Sequence, residues 1–332
     1  MRGGRLLNEC RVLCTPNTFA KRDASLRSTL EAAVREVIYN PFGRPLRAAE
    51  VRPLLKDVDG YIAGLDEVDA SVVEAADRLR VIARYGVGID RVDVATATAN
   101  GILVTNTPGS NSAAVAELTI AFILSLARDI IRANEAVRRG EWPVLDGIGI
   151  RGKTVGLIGF GSVGREVAKR LKSFDCRLLA FDPYVQTEVA DKYDVRLVSL
   201  ETLVPEADFV SIHAPATDAT VGMVNGEFLG RMKKGAFLIN TARGDLVDEP
   251  ALITALESRH LQGAALDCFR QEPPDRNSRL FRLPSVIFTP HTAAHTDDAM
   301  NQMGWTALGC CLAALRGETP KHVVNPEVFE RH

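Results

Sequence analysis

The sequence predicts an α/β protein built from two parallel-sheet units, the larger of them doubly wound. Three observations lead there. Short apolar strands alternate with helical stretches along most of the 332 residues, as strand-helix-strand crossovers require. Glycines at 159, 161 and 164 form a G-x-G-x-x-G turn after a strand too apolar to be half exposed, and the turn opens a helix. A proline-glycine turn in NTPGSNSAAVAE, from Asn106, interrupts the alternation and marks a boundary between units.

In the first half the strands are RVLCT, EVIYN, DGYIAG, LRVIARYG and GILVTN. Helices are expected around Ser25 to Arg35, near Leu46 to Leu55 and at Ser71 to Ala76. The one chemical landmark is ARYGVGIDRVD, where Gly86 and Gly88 directly follow a strand. Consecutive N–H groups in such a turn can form an anion-binding concavity, so the backbone of Val87 and Gly88 could hold a carboxylate, with Arg84 adding charge. An ordinary glycine turn beside a surface arginine is the plainer alternative.

Residues 112 to 127, SAAVAELTIAFILSLA, read as a helix with apolar residues on nearly every side. It must be buried all round, in the core or against another subunit. Interrupted by Glu117 and closed by Arg128 and Asp129, it is too short to span a bilayer.

The second run begins with KTVGLIGFGSVGREVAKR. Gly159 permits the sharp turn, Gly161 lets the backbone approach a pyrophosphate, and Gly164 lets the helix lie close to the strand. Gly159, Phe160, Gly161, Ser162, Val163 and Gly164 thus form the expected phosphate-binding loop, its free N–H groups facing the phosphates. The next strand, CRLLAFD, ends on Asp182, about twenty residues on, where an acid meets the adenosine ribose. Proline and tyrosine follow it, with no arginine for a 2'-phosphate, which favours NAD over NADP. A strand-end turn before proline is the alternative reading of Asp182.

Four further strands end near His213, Arg243, Asp267 and His291. Strands of a parallel sheet share one carboxyl edge, so these residues, the glycine loop and Glu272 in DCFRQEPP converge there. A helix from Asp297 to Leu315 would return to the first unit and make it discontinuous, and the tail GETPKHVVNP reads as extended.

Arg243, Glu272 and His291 suit the oxidation of a hydroxyl beside a carboxylate. Hydride loss from carbon requires the hydroxyl proton to leave, and an imidazole is suited to take it. A neighbouring carboxylate favours the protonated ring and fixes its orientation. A guanidinium stays charged and can hold the substrate carboxylate or polarise the forming carbonyl. Singly, each has a structural alternative: a hydrogen-bonded histidine, a surface ion pair, a turn before two prolines.

Composition bounds the partners. A net charge of -2 with 25% charged residues gives no electrostatic case for nucleic acid or an anionic membrane. Six cysteines, at 10, 14, 176, 268, 310 and 311, include no C-x-x-C pair and read as reduced thiols of a cytoplasmic protein. No metal site is expected. The N-terminal MRGGRLLNECRVLC lacks an apolar core long enough for a signal peptide.

The ordered series RYGVGIDRVD, VTNTPGSNSAAVAE, GFGSVG, HAPAT, NTARGDLVDEPAL, DCFRQEPP and TPHTAAHT resembles the D-isomer-specific 2-hydroxyacid dehydrogenases. The likeness covers almost the whole chain and is closest to the short phosphoglycerate-dehydrogenase-like members. It implies a Rossmann-type NAD-binding domain over 106–294 and a smaller flavodoxin-like substrate domain from 1–105 and 295–332, with a cleft between them. By the resemblance Arg243 orients substrate, Glu272 pairs with the histidine, and His291 is the general acid/base. Val87 and Gly88 resemble the family's carboxylate clamp, and Asp182, His213, Thr241 or Ala242, and Asp267 its cofactor contacts. Members are usually homodimers, with the helix after Asn111 in the interface. The implied reaction interconverts a D-2-hydroxy acid and its 2-oxo acid.

Two alternatives remain. One is a D-3-phosphoglycerate dehydrogenase proper, although in the loop AGLDEVD at residues 63 to 69 Asp66 and Glu67 would repel a phosphate. The other is a non-catalytic, NAD(H)-sensing corepressor-like protein, whose docking surface and tails are not evident here. Formate dehydrogenases of the same superfamily place glutamine beside the histidine, so Glu272 argues for a hydroxy acid.

Overall fold

The computed structural model describes residues 6–330, in two compact units: one runs to Asn111 and resumes at His295, the other runs from Ser112 to Ala294. In the first, β1 (Arg11–Cys14), β2 (Glu36–Tyr39), β3 (Gly60–Ala63), β4 (Val81–Arg84) and β5 (Leu103–Thr105) form one parallel sheet. Its order, β2-β1-β3-β4-β5, is the flavodoxin-like arrangement. Every residue of β3 and β4 is buried, as expected of strands covered on both faces.

The connecting helices are α1 (Ala24–Ala33), α2 (Ala48–Leu54), α3 (Ala70–Glu74) and α4 (Val94–Ala99). Asp23, Asp69 and Asp93 cap α1, α3 and α4, each side chain accepting an N–H of the first turn. Helix α4, VATATA, has no sequence-level counterpart above. Its β-branched residues favour strand, and the Asp93 cap with the buried contact of Ala97 decides otherwise.

The second unit opens with α5 (Ser112–Ala127) and α6 (Ile130–Arg138). Its strands are β6 (Thr154–Ile158), β7 (Arg177–Phe181), β8 (Arg196–Leu197), β9 (Phe209–Ile212), β10 (Ala236–Asn240), β11 (Leu261–Leu266) and β12 (Val286–Phe288). Helices α7 (Ser162–Leu171), α8 (Thr187–Asp191), α9 (Leu200–Glu206), α10 (Gly226–Arg231) and α11 (Glu249–Glu257) connect them. All pairings are parallel, in the order β12-β11-β10-β9-β6-β7-β8. This is the Rossmann-type order with one added strand, and its direction reverses between β6 and β9, where ligands bind outside the carboxyl ends.

Alternate strand residues separate the two faces of this sheet. Val155, Leu157, Phe209, Phe237 and Ile239 pack with Ile120 and Ile123 of α5 and with Val167 and Leu171 of α7. Ile158, Val210, Ile212 and Leu238 pack with Leu203, Leu229 and Leu252 of α9, α10 and α11. Most of α5 is consumed by the core, leaving Ala113, Glu117 and Ala121 as its exposed stripe.

The last helix, α12 (Asp297–Arg316), belongs to the first unit and packs on β3 and β4. Its main-chain carbonyls are tied to that sheet: Tyr85 Oη donates to Met300 O at 3.1 Å and Arg80 Nη1 to Leu315 O at 3.0 Å. Beyond it, Val324 N donates to Val104 O at 2.8 Å, and Asn325 Oδ1 accepts from Val104 N at 2.8 Å, fixing the extended tail along β5.

Candidate active site

The glycine loop follows β6 and bears out its expected geometry. Gly159 adopts φ +93°, and a Cβ there would lie 2.7 Å from the main chain of His213 and Ala214, so β9 and the loop touch through bare backbone. A Cβ on Gly164 would lie 2.4 Å from Gly159 O, which is the close helix–strand approach. At Gly161 a Cβ would meet nothing within 4 Å, so the loop faces open space on the side where a pyrophosphate needs it. Ser162 and Gly161 are exposed and Val163 is half-buried, while Phe160 turns inward, edge-on to Tyr193 at 5.7 Å.

Asp182 stands beside this loop at the end of β7. Its Oδ2 accepts from Phe160 N at 2.8 Å and its Oδ1 from Tyr184 N at 2.9 Å, so the carboxylate is aimed by two amides and remains partly exposed. His213, after β9, has Nε2 2.9 Å from the buried Ser211 hydroxyl and a buried Nδ1 with no partner among the described residues. Burial pushes its pKa down to about 3, so the ring is neutral near pH 7. The residues present therefore fit a dinucleotide: an open glycine turn, a helix N-terminus and an acid on the neighbouring strand.

Two strands further along the sheet, His291 and Glu272 meet. Nδ1 of His291 lies 2.8 Å from Oε1 and 3.0 Å from Oε2 of Glu272, both side chains being about one-fifth exposed (24% and 18%). Glu272 is aimed in turn by Phe269 N, which donates to Oε1 at 3.1 Å. With Glu272 ionised, Nδ1 carries a proton and Nε2 is the ring atom left to exchange one. His291 itself sits at φ +52°, a conformation rare outside glycine and asparagine.

Asp267 holds that conformation. Its carbonyl accepts from His291 N at 2.7 Å, Oδ1 from Thr289 Oγ1 at 2.5 Å and Thr292 N at 2.8 Å, and Oδ2 from Ala293 N at 2.9 Å. The carboxylate is 1% exposed. Asp267, expected as a cofactor contact, also braces the histidine turn.

Arg243 extends from the loop after β10, half-buried, with Nη1 donating to Ala242 O at 2.7 Å. Thr241 is 8% exposed, and its Oγ1 is 3.0 Å from Thr119 Oγ1 on α5. Two neighbours were not singled out from sequence. Asn240 is 1% exposed and bridges Ala242 and Arg243 by its side-chain amide. A Cβ on Gly244 would fall 2.0 Å from Phe269 C and 2.2 Å from Arg270 N, so here the arginine loop crosses the glutamate loop. The glycine beside Arg243 was the available signal for the crossing; nothing in the sequence names the far side.

In the first unit, the turn after β4 has Gly86 at φ +142° and Val87 exposed, with Asn106 Nδ2 donating to Val87 O at 2.8 Å. Gly88 is half-buried. Arg84 is not a surface cation: it is 5% exposed, and Nη1 donates to the carbonyls of Ala63 and Tyr85 beneath Gly86. Asp66 is likewise turned inward, accepting from Tyr61 Oη and Gly64 N at 2.9 Å, Leu46 N at 2.7 Å, and Thr15 Oγ1. Its carboxylate faces inward, bonded by four donors, and of that pair only Glu67 is exposed.

Residues 120–293 match the family model of the NAD-binding domain of D-isomer specific 2-hydroxyacid dehydrogenases. Among curated relatives, the chain is 39% identical to a glyoxylate reductase of Thermofilum pendens, over 91% of this chain and 92% of that one. It is 41% identical to a D-3-phosphoglycerate dehydrogenase of Methanocaldococcus jannaschii over 84% of this chain, but spans only 54% of that longer protein. Among solved structures, an NAD-dependent formate dehydrogenase from Staphylococcus aureus in complex with NAD superposes with a TM-score of 0.85 at 28% identity, covering 95% of this chain and 98% of that one.

Proposed function

The chain belongs to the D-isomer-specific 2-hydroxyacid dehydrogenase family, and from that premise we propose that it interconverts a D-2-hydroxy acid and its 2-oxo acid with NAD. The observation that carries the reading is the His291–Glu272 pair, at 2.8 Å, in the unit that also bears the dinucleotide loop. When bound, NAD supplies the hydride acceptor, or as NADH the donor. The remaining chemistry falls to side chains. In oxidation, Nε2 of His291 takes the hydroxyl proton as the hydride leaves the same carbon, and the Glu272 carboxylate stabilises the imidazolium so formed. In reduction the same nitrogen returns the proton. Arg243 holds the substrate by its permanently charged, forked donors, and in the first unit the backbone of Val87 and Gly88 forms a carboxylate-binding turn. Gly159 to Gly164, Asp182, His213, Thr241 and Ala242 hold the cofactor.

Incubating the protein with NADH and glyoxylate, hydroxypyruvate, pyruvate or phosphohydroxypyruvate in turn tests this. Absorbance at the reduced nicotinamide band falls with at least one of them; no loss with any overturns the reading. The likeness to a phosphoglycerate dehydrogenase and the inward turn of Asp66 support a second reading, a D-3-phosphoglycerate dehydrogenase, selected if phosphohydroxypyruvate is preferred by about tenfold, the worth of 1.4 kcal/mol.

We also propose a cytoplasmic homodimer. Among the described residues no disulfide joins the cysteines, which fits a reducing compartment. Among the described residues, no helix is long and apolar enough to cross a membrane. The apolar surface supporting a dimer lies after α5, in Ile130, Ile131 and Val137 of α6 and in Trp142 and Val144, which are 89% and 92% exposed. Light scattering gives the mass of two chains, and Trp142→Glu reduces it to one. A monomeric wild type defeats the proposal.

A further inference from the structure

We propose that Asn240 is a positioning residue for Arg243, setting the backbone from which the guanidinium extends. This rests on the substrate-holding role given to Arg243 above. Asn240 is the last residue of β10, and its main chain is fixed on both sides: it pairs with Ile212 of β9 and Leu266 of β11, and its carbonyl accepts from Asp267 N at 2.9 Å. From this anchored point the side chain reaches forward. Nδ2 donates to Arg243 O at 2.7 Å, and Oδ1 accepts from Ala242 N at 3.0 Å. One amide thus closes the turn over residues 241–243, where no sheet or helix ladder is available until the short 3-10 turn at Gly244–Leu246.

The chemistry selects asparagine. The site presents one acceptor, Arg243 O, and one donor, Ala242 N, and a primary amide offers the complementary donor and acceptor on a short, stiff stem. Aspartate keeps the acceptor for Ala242 but sets an oxygen against Arg243 O. Alanine or leucine would leave both groups without this partner. Because Asn240 is 1% exposed, water does not readily substitute. Thr241, within the same turn, is held separately by Thr119 of α5. Loss of the amide should therefore displace residues 242 and 243 and spare the start of the turn.

A double-mutant cycle separates positioning from general support of the fold. Asn240→Asp is expected to lower kcat/KM for the 2-oxo acid about 10²-fold, the usual penalty for misplacing a binding group by about 1 Å. NADH affinity, read by quenching of protein fluorescence, should fall by less than kcat/KM does, since of the cofactor-holding residues only Ala242 shares the displaced part of the turn. Arg243→Ala is expected to lower kcat/KM by itself, and adding Asn240→Asp to it should change kcat/KM by less than about threefold, since the group being positioned is gone. A further loss of about 10²-fold in the Arg243→Ala background, or wild-type activity in Asn240→Asp, overturns the proposal. Should the aspartate variant fail to fold, Asn240→Ser takes its place in the cycle with the same two outcomes. Wild-type activity in Arg243→Ala would instead reject the arginine's role, before Asn240 is altered.

Discussion

Replacing His291 with alanine is expected to lower kcat by about 10²- to 10⁴-fold, the usual worth of a positioned general acid/base. The proton that leaves the substrate hydroxyl needs an acceptor at the moment the hydride departs. Within the second unit, His291 is held for that task by Glu272 at Nδ1, which leaves Nε2 for the exchange. The residue also sits at φ +52°, so alanine changes the side chain while keeping a strained backbone. His291→Asn separates the two effects, because asparagine tolerates the left-handed region and cannot act as a base near neutral pH. Equal losses in both variants assign the effect to chemistry. Glu272→Gln should do less damage to geometry, since an amide oxygen can still accept from Nδ1–H, but it removes the negative charge that favours the protonated ring. Reduction of the 2-oxo acid requires that protonated ring. In the glutamine variant kcat for reduction should therefore fall, though by less than in His291→Ala. Unchanged kcat in Glu272→Gln would exclude the carboxylate's charge from the mechanism, and wild-type turnover in His291→Ala would exclude the histidine.

The parallel sheets, the glycine loop and the strand-end residues were legible because each follows from local pattern plus one topological fact, that parallel strands share an edge. Short apolar runs located β6, β7, β9, β10, β11 and β12, and their carboxyl ends then named His213, Arg243, Asp267 and His291. What a side chain does once there was less legible. Asp66 reads as a surface charge until Thr15, Tyr61 and Leu46, from other segments, are seen to surround it. Arg84 follows the same pattern, since the carbonyls that hold it belong to a neighbouring strand and to its own turn. That Asp267 also braces the His291 turn is set by residues more than twenty positions later, which engage its oxygens. Helix α4 was missed because β-branched residues outweigh a cap in so short a segment. For Asp66, Arg84 and Asp267 some of the deciding partners are distant in sequence, and period and propensity carry no information about those.

Gly244→Ala should cost both stability and activity, although the substitution adds a single methyl group. Glycine is needed here for space, because a Cβ would lie 2.0 Å from the carbonyl carbon of Phe269, 2.2 Å from Arg270 N and 2.4 Å from Phe269 O. All three are main-chain atoms, so no side chain can swing aside, and one of the two crossing loops must move. Inserting atoms into tight packing costs about 1–3 kcal/mol, and more where the obstacle is backbone. The loops concerned carry Arg243 on one side and Glu272, through Phe269 N, on the other. A displacement of about 1 Å therefore reaches both the substrate-holding cation and the partner of His291, for an expected loss in kcat/KM of about 10²-fold or more. Cofactor affinity should fall by less, since the glycine loop and Asp182 lie at β6 and β7, across β9 from the arginine loop after β10. Denaturant unfolding and initial rates measured on the same preparation check this. If Gly244→Ala unfolds at the wild-type midpoint and turns over normally, the loops do not cross at this distance, and the coupling between Arg243 and Glu272 through their shared crossing point is wrong.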